Sequence, residues 1–274
     1  MSFHWINAEA FSINTLLLMD RWILNYLIGL SPYGEGHYAC EAYRAHLGVA
    51  LAYHPAVRWY FEEKCPESRE RVRHLVEAAP KGLTEREVRQ SELLLLDEID
   101  SFVVYAYPEV MEGLSYIAGW DPRRLTEMTD FTGKTVLDIG SGTGRLAFAA
   151  ATKAKWVVAS EPVDRLREYL REKRARLRVK NLTVVDGTVQ EIPYPDNAFD
   201  IVMSGHVVGD DLGREVAEME RVAKPGGVVL TCIGEDEHRR TPDPALLRLG
   251  FSYTHHVSRL GGDIYRYLKR VDKA

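Results

Sequence analysis

Residues 134 to 145, Lys-Thr-Val-Leu-Asp-Ile-Gly-Ser-Gly-Thr-Gly-Arg, constrain the chain more than any other stretch. Thr135 to Ile139 is a β-branched and apolar run, bounded in front by Asp130-Phe131-Thr132-Gly133, which predicts a short buried strand. Gly140, Gly142 and Gly144 follow at once, and Arg145 to Ala151 then opens as a helix. A glycine-rich turn between strand and helix lets backbone approach a ligand closely, because no Cβ intervenes and a positive φ costs little. The helix start behind it offers N–H groups and partial positive charge to a carboxylate or phosphate. The stretch is a nucleotide-site signal. Gly142 to Ala147 also satisfies the dinucleotide pattern G-x-G-x-x-G/A, so the turn alone does not choose the nucleotide. Asp138 does: a carboxylate just before the glycines is unwelcome beside a pyrophosphate and favourable beside the ammonium of an amino-acid-bearing ligand.

Further segments follow in step. Trp156 to Ser160 reads as a strand ended by Glu161-Pro162, and Leu182 to Val185 as one ended by Asp186-Gly187-Thr188, leading into Gln190 to Pro195. Phe199 to Ser204 is a fourth strand followed by Gly205-His206, and Arg221 to Gly227 turns into a fifth. Five motifs in this order resemble the class I S-adenosylmethionine (SAM)-dependent methyltransferases, of the small-molecule kind near the methyltransferase type 11 group. The resemblance covers residues 134 to 270 and implies an α/β fold: a Rossmann-like, seven-stranded, mostly parallel sheet. Phe251 to Leu260 and Asp263 to Val271 flank Gly261-Gly262 and predict a closing antiparallel hairpin. The methyltransferase sheet ends on such a hairpin and the usual dinucleotide sheet does not, which counts against NAD.

The first 130 residues lie outside the resemblance and read as all-helical, giving two expected domains, 1–130 and 131–274. Helices are predicted over Ser12 to Ile28, Cys40 to Tyr53, Pro55 to Lys64 and Pro66 to Ala79, with a break at residues 31–36. Thr84-Glu-Arg-Glu87 fits a capping box that starts a long helix to Ala106, and another is expected over Pro108 to Ile117. By analogy with the family, this region is a substrate-binding or lid domain. Its tryptophans, Trp5, Trp22, Trp59 and Trp120, suit an apolar pocket, a core or a homodimer interface equally.

Composition sets the outer bounds. At 274 residues, with 46% hydrophobic and 27% charged, the chain is an ordinary globular one. A net charge of −5 argues against a general polyanion binder. Cys40, Cys65 and Cys232 imply no disulfide framework, and the chain reads as cytoplasmic. Residues 11–30 are apolar but interrupted by Asn14, Asp20, Arg21 and Asn25, so no membrane span is expected. The Met1 end lacks a signal-peptide pattern.

The resemblance implies SAM as cofactor, S-adenosylhomocysteine as product, and a cofactor site built from Asp138, Gly140, Ser141, Gly142, Thr143, Gly144, Glu161, Pro162, Asp186, Gly187, Thr188, Ser204 and Gly205. Glu161 is placed to accept from the ribose hydroxyls, and Asp186 from the adenine amino group beside Gly187. His206 stands where a general base is useful if the acceptor is a hydroxyl or an acidic carbon, and equally where a histidine packs under the cofactor. Asp210-Asp211 reads as a helix start rather than a metal site, and His37, Cys40 and His46 match no zinc spacing. Ser204-Gly-His-Val replaces the Asn/Asp-Pro-Pro-aromatic signature of base-amino methylation, and no Pro-Cys follows the fourth strand. A small-molecule acceptor is therefore expected, and nucleic acid is not. The basic helix at Val163 to Lys180 reads as a solvated outer face rather than an RNA-facing stripe. An RNA or protein methyltransferase, a non-catalytic SAM-binding regulator and an NAD oxidoreductase are the rivals.

Overall fold

The computed structural model describes residues 5–31, 34–235 and 238–273. It divides into two compact units, Met1–Val110 and Met111–Ala274. The boundary falls twenty residues before the expected one. Trp120, Leu125 and Phe131 are buried in a core with strand residues such as Val136 and Val157, which draws the segment ahead of the first strand into the second unit.

The first unit is helical. After 3₁₀ turns at Ala8–Ala10 and Ile13–Leu18 come α1 (Arg21–Leu27), α2 (Glu41–Tyr53), α3 (Pro55–Lys64), α4 (Arg69–Ala78), α5 (Glu85–Glu98) and α6 (Asp100–Ala106). The expected helix over Ser12 to Ile28 is two pieces. Met19 and Asp20 are extended, and the Asp20 carboxylate accepts the Ile23 N–H at 3.1 Å, so α1 starts from its own cap. The capping box forms as expected, with Thr84 Oγ1 accepting the Glu87 N–H and the Glu87 carboxylate accepting the Thr84 N–H. That helix nevertheless ends at Glu98. Ile99 leaves helical geometry, and the buried Asp100 turns to accept the Trp5 backbone N–H at 3.0 Å. Pro32 and Tyr33, inside the expected break at 31–36, lie outside the described residues. His37 pairs with Glu98 and His46 with the Ser91 hydroxyl. No described helix is long and apolar enough to cross a membrane.

Short helices α7 (Pro108–Glu112) and α8 (Arg123–Thr126) precede the sheet; the helix expected to reach Ile117 stops at Glu112. The second unit then alternates: β1 (Thr135–Ile139), α9 (Arg145–Ala151), β2 (Trp156–Ser160), α10 (Asp164–Arg176), β3 (Leu182–Val185), β4 (Phe199–Ser204), α11 (Leu212–Val222), β5 (Ala223–Thr231), α12 (Pro244–Arg248), β6 (Ser252–Val257) and β7 (Asp263–Arg270). The seven strands lie in the order β3-β2-β1-β4-β5-β7-β6. The first five are parallel, and β7 pairs antiparallel with both β5 and β6. This is the expected Rossmann-like sheet with its C-terminal hairpin. Its loop is longer than the expected Gly-Gly turn. Val257 pairs with Asp263, the Ser258 N–H donates to the Gly262 carbonyl, and Gly261 supplies a φ of +83°.

Apolar side chains on both faces cover the strands, as a parallel sheet requires. Asp200 fastens the strand starts: its carboxylate accepts from Thr135 N–H (2.8 Å), Thr135 Oγ1 (2.7 Å) and Lys224 Nζ (3.0 Å). Partial burial would raise this carboxyl, but Thr135 and Lys224 hold it down at about 2. Asn181, before β3, donates to the carbonyls of Ala151 and Ala154, each at 2.9 Å, and so closes the end of α9. Asn181→Leu should lower unfolding stability by about 1–3 kcal/mol, since both carbonyls lose their partner. Urea titration measures this, and an unchanged midpoint would show that water replaces the amide.

Candidate active site

The ladder registers place the strand ends in one row. Val185 pairs with Ser160, Ser160 with Ile139, Ile139 with Ser204, and Ser204 with Thr231. The residues one step further on, Asp186, Glu161, Gly140, Gly205 and Cys232, therefore share one edge of the sheet. β1 has β2 on one side and β4 on the other, so successive crossovers run in opposite directions from it. Open α/β sheets bind ligands in the crevice that opens at this switch point.

The glycine turn needs its glycines. Gly140 has φ +62°, and a Cβ there would lie 2.0 Å from Val207 Cγ1. Gly144 has φ +91°, and its Cβ would meet Phe148 at 2.5 Å and Leu170 at 2.8 Å. At Gly142 the nearest atom is Met111 Cε, at 3.1 Å, so φ of +54° rather than crowding selects glycine. Two side chains hold the turn in place. The Glu161 carboxylate accepts the Gly142 N–H at 2.8 Å and the Val163 N–H at 3.0 Å. Lys173 of α10 donates to the Thr143 carbonyl at 2.9 Å and to Glu112 at 2.6 Å.

Asp186 is exposed and pairs with Arg167 at 3.2 Å; Arg167 also donates to the Glu161 carbonyl at 2.7 Å. A Cβ on Gly187 would sit 2.7 Å from Ser160 Oγ and 3.0 Å from Pro193, so this position has no room for a side chain. Pro162 and Thr188 are half-buried beside these acids. His206 is exposed. Its Nε2 accepts the Gly234 N–H at 3.1 Å, and its ring meets that of Tyr116 edge-on at 5.2 Å. Asp211 caps α11, its carboxylate accepting the Arg214 N–H at 3.3 Å. Cys232 is buried at the end of β5, and burial pushes its thiol up.

Sequence reasoning passed over three cations here. Arg167, only 8% exposed, and Lys173 belong to the helix expected to be a solvated face. They fall near Leu166 and Leu170 on its buried stripe, which is the signal that could have found them. Arg145, the first residue of α9, donates to the Cys232 carbonyl at 2.9 Å and lies 4.6 Å from the centre of the Trp120 ring.

Four buried oxygens at this edge have no hydrogen-bond partner: both of Asp138, Thr143 Oγ1 and Ser204 Oγ. Asp138 is 1% exposed. The Ser141 hydroxyl donates to its backbone carbonyl at 3.0 Å. Burial pushes this carboxyl up to about 7, against the pull of Ser141, Arg145 and the Ala147 N–H and with a further push from Glu161. Unpartnered buried acceptors and a glycine cradle fit a ligand that brings a cation to Asp138 and hydroxyl or N–H donors to its neighbours. An acid raised in the folded state stabilises the fold fully below its unfolded value of about 4, and that contribution is lost as pH rises through about 7. Asp138→Asn should therefore raise the melting temperature of the ligand-free protein at pH 8 and leave it nearly unchanged near pH 3, the gain at pH 8 being at most about 4 kcal/mol. Equal melting of the two proteins at pH 8 would show that the carboxylate has a partner.

A family profile described as a methyltransferase domain matches residues 137–231. A demethylmenaquinone methyltransferase of Shouchella clausii is 29% identical over 53% of this chain and 63% of its own length. A ubiquinone/menaquinone biosynthesis C-methyltransferase of Edwardsiella ictaluri is 32% identical over 50% of this chain and 58% of its own. The chain thus spans less than two thirds of these relatives. In fold, a Methanococcus maripaludis protein assigned to the SAM-dependent methyltransferases is 18% identical, with a TM-score of 0.50 over 62% of this chain and 94% of that one. The domain profile falls on β1 to β5, the strands whose ends form the row, and the sheet carries the same closing hairpin. Residues 137–231 thus match a methyltransferase domain, and the sheet that carries them has the fold of a SAM-dependent methyltransferase.

Proposed function

We propose that this chain transfers the methyl group of SAM to a small-molecule acceptor. The observation that carries the reading is the buried, unpartnered Asp138 at the switch point, two residues before the row that holds Glu161 and Asp186. When bound, SAM supplies an electrophilic methyl on a sulfonium, so the protein needs chiefly to hold the acceptor in line with it. Asp138 faces the ammonium. Ser141, Thr143 and the glycine backbone cradle the amino-acid end, with Ser204 and Gly205 alongside. Glu161 receives the ribose hydroxyls: a carboxylate has about four acceptor sites, and its bonds to Gly142 and Val163 hold it aimed. Asp186 accepts from the adenine amino group, and the bare Gly187 with Pro162 and Thr188 leaves space for the ring. The two relatives named for demethylmenaquinone and for ubiquinone/menaquinone biosynthesis support a small-molecule acceptor.

His206 is the catalytic candidate, and its hydrogen bond limits the role. Nε2, the atom that would take a proton, accepts from Gly234 and so holds the segment after β5 against the end of β4. We assign it to positioning the acceptor side of the site.

Calorimetric titration tests the cofactor reading. SAM and S-adenosylhomocysteine should bind, and Glu161→Ala should weaken both by about 1–3 kcal/mol. Binding of NAD with neither adenosyl ligand would overturn the reading. With an acceptor found by screening, His206→Gln should keep kcat within about tenfold, because a glutamine oxygen can still accept from Gly234. A fall of a hundredfold or more, in the range of general-base catalysis, would make His206 the base.

A further inference from the structure

The starts of the strands, opposite the row of strand ends, carry charge that the candidate site does not use. Ahead of β1, β2 and β3 the chain reads Thr-Gly-Lys134, Lys153-Ala-Lys155-Trp156 and Arg176-Leu-Arg178-Val-Lys180. Hydrogen bonds lace these three loops together. The Lys134 carbonyl accepts the Lys155 N–H at 2.9 Å and the Trp156 N–H at 3.3 Å. The Asn181 carbonyl accepts the Val157 N–H at 2.8 Å, while its amide holds the Ala151 and Ala154 carbonyls. Lys134, Lys153, Lys155, Arg176, Arg178 and Lys180 therefore share one end of the second unit, and all six are exposed. Among the described residues none of the six forms an ion pair. Asp130 lies near Lys134 and Lys153 and offsets part of their charge. In a chain of net charge −5, this end is a local positive field.

Two apolar side chains stand among the cations: Trp156 is 41% exposed and Leu177 53%. α10 closes there, the Leu177 N–H donating to the Lys173 carbonyl and the Val179 N–H to the Arg174 carbonyl, and Arg178 between them takes φ +55°. That left-handed position at a helix end is ordinarily glycine's, because a Cβ is strained there. An arginine in it keeps a guanidinium beside Leu177 against the preference of the backbone. A merely solvated face has no use for this arginine, or for an exposed indole and leucine. A nucleic-acid strand uses cations and an indole, which stacks on bases, but offers nothing to an aliphatic side chain. A bilayer with anionic headgroups uses all three: cations for the phosphates, an indole at headgroup level and a leucine at the acyl boundary.

We propose that this end of the second unit is a peripheral docking surface for an anionic lipid bilayer. Trp156 and Leu177 enter the headgroup region, and the six cations engage lipid phosphates around them. The negative balance of the rest of the chain keeps its other faces off such a surface. The strand-end crevice lies at the far end of the strands, so docking leaves it facing water whichever nucleotide it binds.

Vesicle sedimentation of the full chain tests the surface. The protein should bind vesicles of phosphatidylglycerol mixed with phosphatidylcholine, bind pure phosphatidylcholine roughly tenfold or more weakly, and be released as salt screens the cations. Lys153→Gln, Lys155→Gln and Lys180→Gln together should weaken binding about a hundredfold, roughly fivefold for each cation. Leu177→Ser should weaken it about fivefold, the effect of returning half of a leucine side chain to water. Arg178→Gly should also weaken it about fivefold yet keep or raise the melting temperature, because glycine suits the left-handed position. Equal binding to both kinds of vesicle, or anionic-vesicle binding that either the triple variant or Leu177→Ser leaves unchanged, would overturn the surface. Tighter binding to a single-stranded RNA oligonucleotide, untouched by Leu177→Ser, would overturn it in favour of nucleic acid.

Discussion

The parallel ladder running β3-β2-β1-β4-β5 is the constraint on which the rest of the second unit depends. Its registers leave no offset between Val185, Ser160, Ile139, Ser204 and Thr231. Five loops that are far apart in the chain therefore begin at the same height. A slip of one residue on any strand would turn its alternate side chains to the opposite face and move its loop along the edge. At the other end of the strands Asp200 resists such a slip, because its bonds to Thr135 and Lys224 tie β4 to the start of β1 and to β5.

The two buried acids at the strand ends contrast. Glu161 is satisfied by the backbone N–H groups of Gly142 and Val163, and it acts as a strut between the glycine turn and the end of β2. Asp138 is as deeply buried and has no hydrogen-bond partner, so its ionised form works against the fold. A folded chain keeps such a group where a ligand supplies the missing partner; local violations of good packing collect at functional sites. Arg145 sharpens the point, since a neutralising cation stands close by and is held away by the Cys232 carbonyl and the Trp120 ring.

Much of this was legible in the residues. β1, β2, β3 and β4 lie where their apolar runs placed them, and the glycine turn, the capping box at Thr84 and the closing hairpin formed as their local chemistry requires. Local rules failed where a distant partner competed. The helix expected to pass Ile99 ends there, with Asp100 bonded to Trp5, ninety-five residues away in sequence. The helix expected to pass Asp20 is cut by a cap that also suits a helix interior poorly. By sequence Arg167 and Lys173 read as solvent-facing, because eight basic residues over 163–180 suggest a wet face. Which of them turn inward depends on the phase of the helix against the sheet.

By itself the sequence determined the kinds of element, their order and the strand-end position of the acids and glycines, because these follow from hydrophobic period, turn chemistry and the need for positive φ. Tertiary structure alone decided which charges meet. Arg167 reaches Asp186, Lys173 reaches the glycine turn, His206 gives its lone pair to Gly234, and Arg145 and Asp138 stay apart. The physical reason is range: local structure is set by neighbours a few residues away. The pairing of charges is set by distances of a few ångströms between segments that only the assembled sheet brings to one edge.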